Sequence, residues 1–511
     1  MPVGMQNFLH CSQSGVRTDN AHQTPEVVIH LYRFRDLNIV LDVNSGAVHA
    51  VSDPVFDILS LYKAVQYKNT QEIDSSVIAS DSEAIQSTWI ASSPSAPRND
   101  KKVCPGINDK EDVEAVAEID ELIAAGMLFS PPPVEDEISP GGRGAVIKAI
   151  CLHVAHDCNM RCAYCFADAG GFAGDRSLMP LETGKRSIDF LLEQSGARKN
   201  LEIDFFGGEP LMNFDVVKEL VLYGREREKE FGKHIRFTLT TNGLLLDDEK
   251  TAFINGHMDN VILSIDGRPE INDRMRKTVG GGGTYSHIID KLTGFAEKRK
   301  ANDNGSLLYY VRGTYTKVNK DFAEDVRHLA SLGLENISVE PAVTACDEPW
   351  ALTEEDLPDL FEEYERLVDS ILESEADGKP ISFFHFKVDL DQGPCVYKRA
   401  SGCGAGTDYV AVTPEGDIYP CHQFAGEPDY RLGNVHENVF ENKLAETFEK
   451  AHIFSKEECT KCWAKYYCSG GCHAAALHCE GDLMKPHRLS CALEKKRLEC
   501  AIGLAAIRAM T

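Results

Sequence analysis

The segment HDCNMRCAYCFA, residues 156–167, sets Cys158, Cys162 and Cys165 four and then three residues apart. Three thiolates on one short loop can converge on a single metal group. A four-iron four-sulfur cluster ordinarily takes four thiolates. With three, one iron stays open to a substrate or cofactor, as a catalytic zinc keeps a vacant position. The alternative is a Cys3His zinc site completed by His153 or His156. Spacing alone does not choose between them.

A second set lies toward the C-terminus: Cys403, Cys421, then Cys459-x2-Cys462-x5-Cys468-x3-Cys472, and Cys491. CxxC pairs of this kind suit a zinc ribbon. Cys395, eight residues before Cys403, is a possible further ligand. The remaining cysteines, Cys11, Cys104, Cys151, Cys346, Cys479 and Cys500, fall in no motif and read as buried or incidental thiols.

The chain of 511 residues is long enough for about three domains. Its net charge of −27 argues against a nucleic-acid partner, because phosphate binding runs on Lys and Arg; the acidity reads as solubility. No apolar run reaches the length of a membrane span, and the N-terminus lacks a signal pattern. A cytoplasmic protein is expected. Its 17 cysteines then favour metal binding over disulfides.

These cysteines need elements to position them. Residues 1–24 read as a flexible tail. VVIHLYRF, LNIVLDV and GAVHAV read as three strands, followed by a helix from Pro54 with Asp53 at its N-cap. A polar insertion at about 68–112 and the amphipathic helix EDVEAVAEIDELIAAGMLF complete an α+β module over 25–130. Residues 131–144 have linker composition. From 145 to 345, six apolar strands begin at AVIKAICLHV, LEIDFF, IRFTLT, VILSID, LLYYVRGTYT and ISVEPA. Helical stretches alternate with them, so the pattern predicts a parallel sheet with crossover helices. Six repeats are too few for an eight-stranded barrel, which points to a partial (β/α)6 barrel. Chemistry in such sheets sits at the strand C-termini, where the three cysteines fall. A bridging helical segment at 346–394 and a cysteine-rich domain at 395–511 follow. The Gly280–Gly283 run lacks the GK[ST] ending of a phosphate loop and reads as a turn.

CNMRCAYC, with Tyr164 before its last cysteine, resembles the CxxxCxxC signature of radical S-adenosylmethionine (SAM) enzymes. The resemblance implies that SAM chelates the open iron of a four-iron cluster and is cleaved to a 5′-deoxyadenosyl radical. It extends to later strand ends. GGEP, with Gly207, Gly208 and Glu209, resembles the segment that holds the methionine amino group. Thr240, Thr241 and Asn242 of TTNG and Ser264 of LSIDG stand where the family contacts ribose and carboxylate. Arg312 could meet the SAM carboxylate or form a strand-end salt bridge.

The C-terminal cysteines resemble the SPASM domain, which carries two auxiliary four-iron clusters. That implies Cys403, Cys421 and Cys472 on one, with Cys395 its possible fourth ligand, and Cys459, Cys462, Cys468 and Cys491 on the other. Sulfatase maturases carry an Asp base after the cysteine matching Cys421; here it is His422. The N-terminal module resembles the PqqD-like, winged-helix peptide-recognition element, which adds a leader peptide to a sheet edge; a cap that only packs on the barrel is the alternative.

Together the parts resemble the maturases of the SCIFF, or ranthipeptide, group. Three four-iron clusters, SAM, a cysteine-rich precursor peptide with a leader, and an external donor of flavodoxin or ferredoxin type are implied. The implied product is a thioether between a precursor cysteine and a carbon of the same peptide. A radical SAM maturase with another outcome, and an iron–sulfur redox sensor, are the competing readings. The SAM-binding motifs speak against the sensor.

Overall fold

The computed structural model describes residues 28–69, 110–133, 146–172, 174–302, 307–343, 348–390, 393, 399–437, 439–440 and 442–511. The tail at 1–24, most of the insertion at 68–112, most of the linker at 131–144 and Cys395 lie outside the described residues.

β1 (Ile29–Phe34), β2 (Leu37–Asp42) and β3 (Val48–Val51) form an antiparallel sheet in that order. Strand alternation gives it two apolar faces. Ile29 and Val40 pack with Val55, Leu59, Ala115 and Ile119 of the helices Asp53–Asn69 and Lys110–Ala124. Phe34, Ile39 and Leu41 face the other way, into the main core. The C-terminal helix Arg488–Met510 lies against that second face. Gly503 makes room for Phe34, since a Cβ there would stand 2.3 Å from its ring.

The central sheet contains β4 (Ala149–His156), β6 (Ser177–Leu178), β7 (Asn200–Gly207), β8 (His234–Thr241), β9 (Asn260–Ser264), β11 (Leu308–Tyr315), β12 (Asn336–Pro341) and β13 (Ser382–Phe383). β5 (Met160–Cys162) and β10 (Arg276–Thr278) form a separate antiparallel pair. β14 (Tyr409–Val412), β15 (Asp417–Tyr419), β16 (Gly433–Asn434) and β17 (Val439–Phe440) continue the sheet, β14 running parallel to β4. The order is β13-β12-β11-β9-β8-β7-β4-β14-β15-β16-β17. All six expected strands are present, and their pairings with one another are parallel. β13 and β14 extend the sheet at its two sides in a way the six-strand expectation lacked.

Alternation again divides the faces. Leu152, Val154, Phe205, Phe237, Leu263 and Val339 are buried in the main core with the crossover helices. Residues of opposite parity, including Cys151, His153, Asp204, Phe206, Arg312 and Glu340, line the other face. The sheet is curled about that face. His422, just after β15, lies within electrostatic reach of Arg312 on β11, six strand positions away. A flat sheet would hold them about 29 Å apart.

Candidate functional site

β4 ends at His156 and delivers the cysteine loop to the sheet's C-terminal edge. Asp157 Oδ1 accepts from the Cys158 amide at 2.8 Å and pairs with Arg176 at 3.1 Å, which fixes the loop's first turn. Gly207 and Gly208 bring the end of β7 against it. Gly207 has φ +127°, and a Cβ there would meet the Ala155 carbonyl at 2.2 Å; at Gly208 it would meet that of Asp157 at 2.1 Å. Only glycine permits this approach.

Glu209 is fully buried. Its carboxylate accepts from the Leu211 amide (3.0 Å), the Thr241 hydroxyl (2.8 Å) and the Asn242 amide (2.8 Å). Asn242 in turn donates to Asn159 Oδ1 (2.8 Å) and reaches Cys158 Sγ at 3.7 Å. Gly207, Gly208, Glu209, Thr241 and Asn242 therefore gather around Cys158. Burial raises the Glu209 pKa, and these hydrogen bonds oppose the shift. Thr240 lies on the opposite side of β8 from Thr241, on the lumen face.

The three thiols are close enough to disfavour one another's ionisation. Burial pushes Cys158 up to about 12 and Cys162 to about 11, with Glu209 and the sister thiols adding to the first. Only a strong local cation ionises such a group, and iron supplies one. The zinc alternative fits less well. His153 Nδ1 and His156 Nε2 share a hydrogen bond of 3.0 Å, and both rings pack on Phe172. Among the described residues no three His, Cys, Asp or Glu converge on one metal-ion position. A cluster asks instead for separated sulfurs, each on its own iron.

Behind the loop lies a network that motif reading missed. Tyr164 donates to both oxygens of Asp266 at 2.8 Å. Arg276, opposite Cys162 in the β5–β10 pair, donates to Tyr164 Oη and to the Ser264 carbonyl, each at 3.1 Å. Asp266 was visible as the Asp of LSIDG, two residues after Ser264; Arg276 carries no spacing signal. Burial holds the Asp266 carboxyl up at about 6, against the pull of Arg276. Ser264 stands beside Arg312 in parallel register. Arg312 itself pairs with Glu340 at 2.5 Å, and Glu340 also meets His385 at 3.1 Å. Of the two expectations for Arg312, the strand-end salt bridge is the one seen.

The C-terminal cysteines separate into two groups. Cys403, Cys421 and Cys472 lie within mutual electrostatic reach. So do Cys459, Cys462, Cys468 and Cys491. Burial raises every thiol for which a shift is resolved, Cys468 to about 12 and Cys459 and Cys491 to about 11. His422 stands between the first group and the SAM-type loop. Its ring lies 5.4 Å from Phe166 and 5.2 Å from Phe206, with Nδ1 3.4 Å from Tyr409 Oη. Burial brings it down to about 4.

Residues 152–326 match the model of the radical SAM superfamily, and residues 403–463 that of the SPASM iron–sulfur cluster-binding domain. The chain carries both domains. They imply a SAM-binding four-iron cluster and auxiliary clusters. An uncharacterized protein of Methanocaldococcus jannaschii, MJ0907, is 28% identical over 38% of this chain; the match spans 62% of that protein. A cysteine-type anaerobic sulfatase-maturating enzyme of Clostridium perfringens is 26% identical over 62% of this chain and 85% of its own length. The subtilosin biosynthesis protein AlbA of Bacillus subtilis is 24% identical over 64% and 67%. The solved structure of the tagged enzyme anSMEcpe with bound AdoMet shares the fold, with a TM-score of 0.59, 21% identity, and coverage of 71% of this chain and 95% of that one.

Proposed function

We propose that this protein is a radical SAM/SPASM maturase of a ribosomally made, cysteine-rich peptide, and that it forms thioether crosslinks within that peptide. The observation that carries the reading is the contact of Phe166 with His422. One follows Cys165 and the other follows Cys421, so the two three-cysteine sites open onto one lumen. A peptide carbon beside the first and a peptide thiol beside the second would be close neighbours.

Cys158, Cys162 and Cys165 would hold the SAM-binding cluster, and Glu209, Asn242 and the strand ends Thr240 and Ser264 would orient SAM. Bound there, the group supplies a hydrogen-abstracting 5′-deoxyadenosyl radical, while the auxiliary clusters supply an electron acceptor. Cys403, Cys421 and Cys472 would leave a coordination position for the peptide's cysteine if Cys395 stands aside. Metal coordination deprotonates a thiol outright, so no carboxylate base is needed after Cys421, and His422 is consistent with that. Phe166, Phe206 and Phe172 restrict water near the reacting carbon. The net change in the peptide is loss of one hydrogen from carbon and one from sulfur as the C–S bond forms.

The N-terminal sheet would receive the leader. Among the described residues β3 pairs only with β2, which leaves an edge for strand addition. The names of the sulfatase-maturating enzyme and of the bacteriocin biosynthesis protein AlbA support a polypeptide substrate. Co-expression with a cysteine-rich peptide from a neighbouring gene, followed by tandem mass spectrometry, tests the product. The expected peptide has lost two hydrogens per crosslink and resists thiol alkylation at the linked cysteine. A carbon–carbon link, an unchanged mass with inverted stereochemistry, or a carbonyl product would assign a different outcome to the same scaffold.

A further inference from the structure

Lys456 is buried where no carboxylate meets it. It precedes the short helix Glu457–Thr460, which carries Cys459, and its side chain is 1% exposed. Its Nζ donates to the Gly470 carbonyl at 2.9 Å, two residues before Cys472. Its own carbonyl accepts from the Cys459 amide at 3.0 Å, so one residue braces both cysteine segments. No ion pair joins Lys456 to a described carboxylate, whereas the surface lysine of the same segment, Lys461, pairs with Glu457. An ammonium withdrawn from water without a counter-charge is strongly disfavoured. The groups of negative potential that it faces are cysteines from both auxiliary sets: Cys459, Cys468 and Cys491 from one, Cys472 from the other.

We propose that Lys456 is the shared counter-cation of the two auxiliary iron–sulfur sites, a positioning residue that makes both easier to reduce. The inference rests on the assignment of those cysteines to clusters. Each thiolate-ligated cluster is an anion, and its reduction adds one more negative charge. A fixed ammonium in the wall between the sites, screened little because water is absent, stabilises the reduced form more than the oxidised one. The same charge explains how an otherwise unpaired lysine is tolerated in the interior: its partner is the loaded site.

The test uses the full-length chain with Cys158, Cys162 and Cys165 replaced by Ala in every arm, so that only auxiliary signals remain. Lys456→Met and Lys456→Arg are reconstituted anaerobically, counted for iron, and titrated electrochemically with paramagnetic resonance detection. Lys456→Met is expected to keep its iron while the reduced-to-oxidised ratio at fixed potential falls at least tenfold, which is about 59 mV for a one-electron couple. Lys456→Arg is expected to stay within threefold of the lysine protein. Iron uptake by the Arg variant but not by the Met variant would equally support a requirement for charge. Unchanged midpoints in a loaded Met variant, or equal behaviour of the Met and Arg variants, overturn the proposal. If the lysine-containing background binds no auxiliary iron, the cluster assignment itself fails and the inference falls with it.

Discussion

His30 and Trp463 lie flat against each other, with ring centroids 3.8 Å apart and planes 4° from parallel. His30 belongs to β1 of the N-terminal module; Trp463 follows Cys462. Val43, just after β2, packs with Ile453, Cys459 and Tyr466 in the same wall. The His30 ring also meets Glu499 of the C-terminal helix at 2.9 Å. The module is thus part of the enclosure around the second auxiliary cysteine set, and not a unit hanging from its linker.

Trp463→Ala should therefore loosen the module and expose that set together. A destabilisation of about 1–3 kcal/mol is expected from the lost stacking and burial. It should appear in denaturant unfolding, with faster loss of iron from the reconstituted protein under a chelator. Normal iron retention with a freely proteolysed module would show that docking and enclosure are separable.

Deletion of residues 1–130 should do more than remove a leader site. It would strip Val43 and His30 from Cys459 and Trp463, so auxiliary iron should fall along with peptide affinity. SAM cleavage at the distant Cys158 site should persist at a slow, uncoupled rate. Full auxiliary iron in the truncated chain, by elemental analysis, would mark the module as dispensable to the enclosure.

Glu209→Gln should cripple the site without removing its iron. Each Glu209 oxygen accepts from a backbone amide, so an amide nitrogen in either place opposes a donor. A hydrogen bond to a charged group is worth about 1.5–3 kcal/mol. SAM affinity should fall at least ~10-fold by equilibrium binding, with the iron count unchanged. Unaltered affinity would confine Glu209 to a role outside the SAM site.

Much of this arrangement was legible because it is local. Strand alternation marked all six barrel strands, and the cysteine spacings marked loops whose thiols do gather as grouped. Contacts that depend on how the sheet curls were not legible. Arg312 was read at a strand end, but its pairing with Glu340 follows from the β11–β12 register. Arg276 reaches Tyr164 only because β10 folds back on β5. Lys456 looks in the sequence like one more charge in an acidic, exposed segment, and only burial against two cysteine sets distinguishes it. The linker composition suggested a detachable module, while the apolar second face of β2, Ile39 and Leu41, is what docks it.

The lumen face makes a pH prediction. Burial raises the Asp204 carboxyl from 3.8 to about 6. The folded state then holds this proton more tightly than the unfolded state, so the contribution is present below pH 3.8 and is lost as pH rises to 6. Asp204→Asn removes that loss. Its stability advantage should grow between pH 4 and 6 and level off above, reaching on the order of 1–2 kcal/mol after allowance for lumen water. An advantage constant with pH in urea unfolding would contradict the shift.

The most direct test of the account follows hydrogen from peptide to SAM. A uniformly deuterated precursor is incubated anaerobically in light water with reductant, SAM and reconstituted protein, and both products are analysed by mass spectrometry. The account predicts deuterium in 5′-deoxyadenosine in proportion to the thioether formed. It also predicts neither product from the Cys158, Cys162 and Cys165 triple Ala variant, whose auxiliary iron remains in place. Thioether formed without deuterated 5′-deoxyadenosine, or undiminished SAM cleavage by the triple variant, would contradict it.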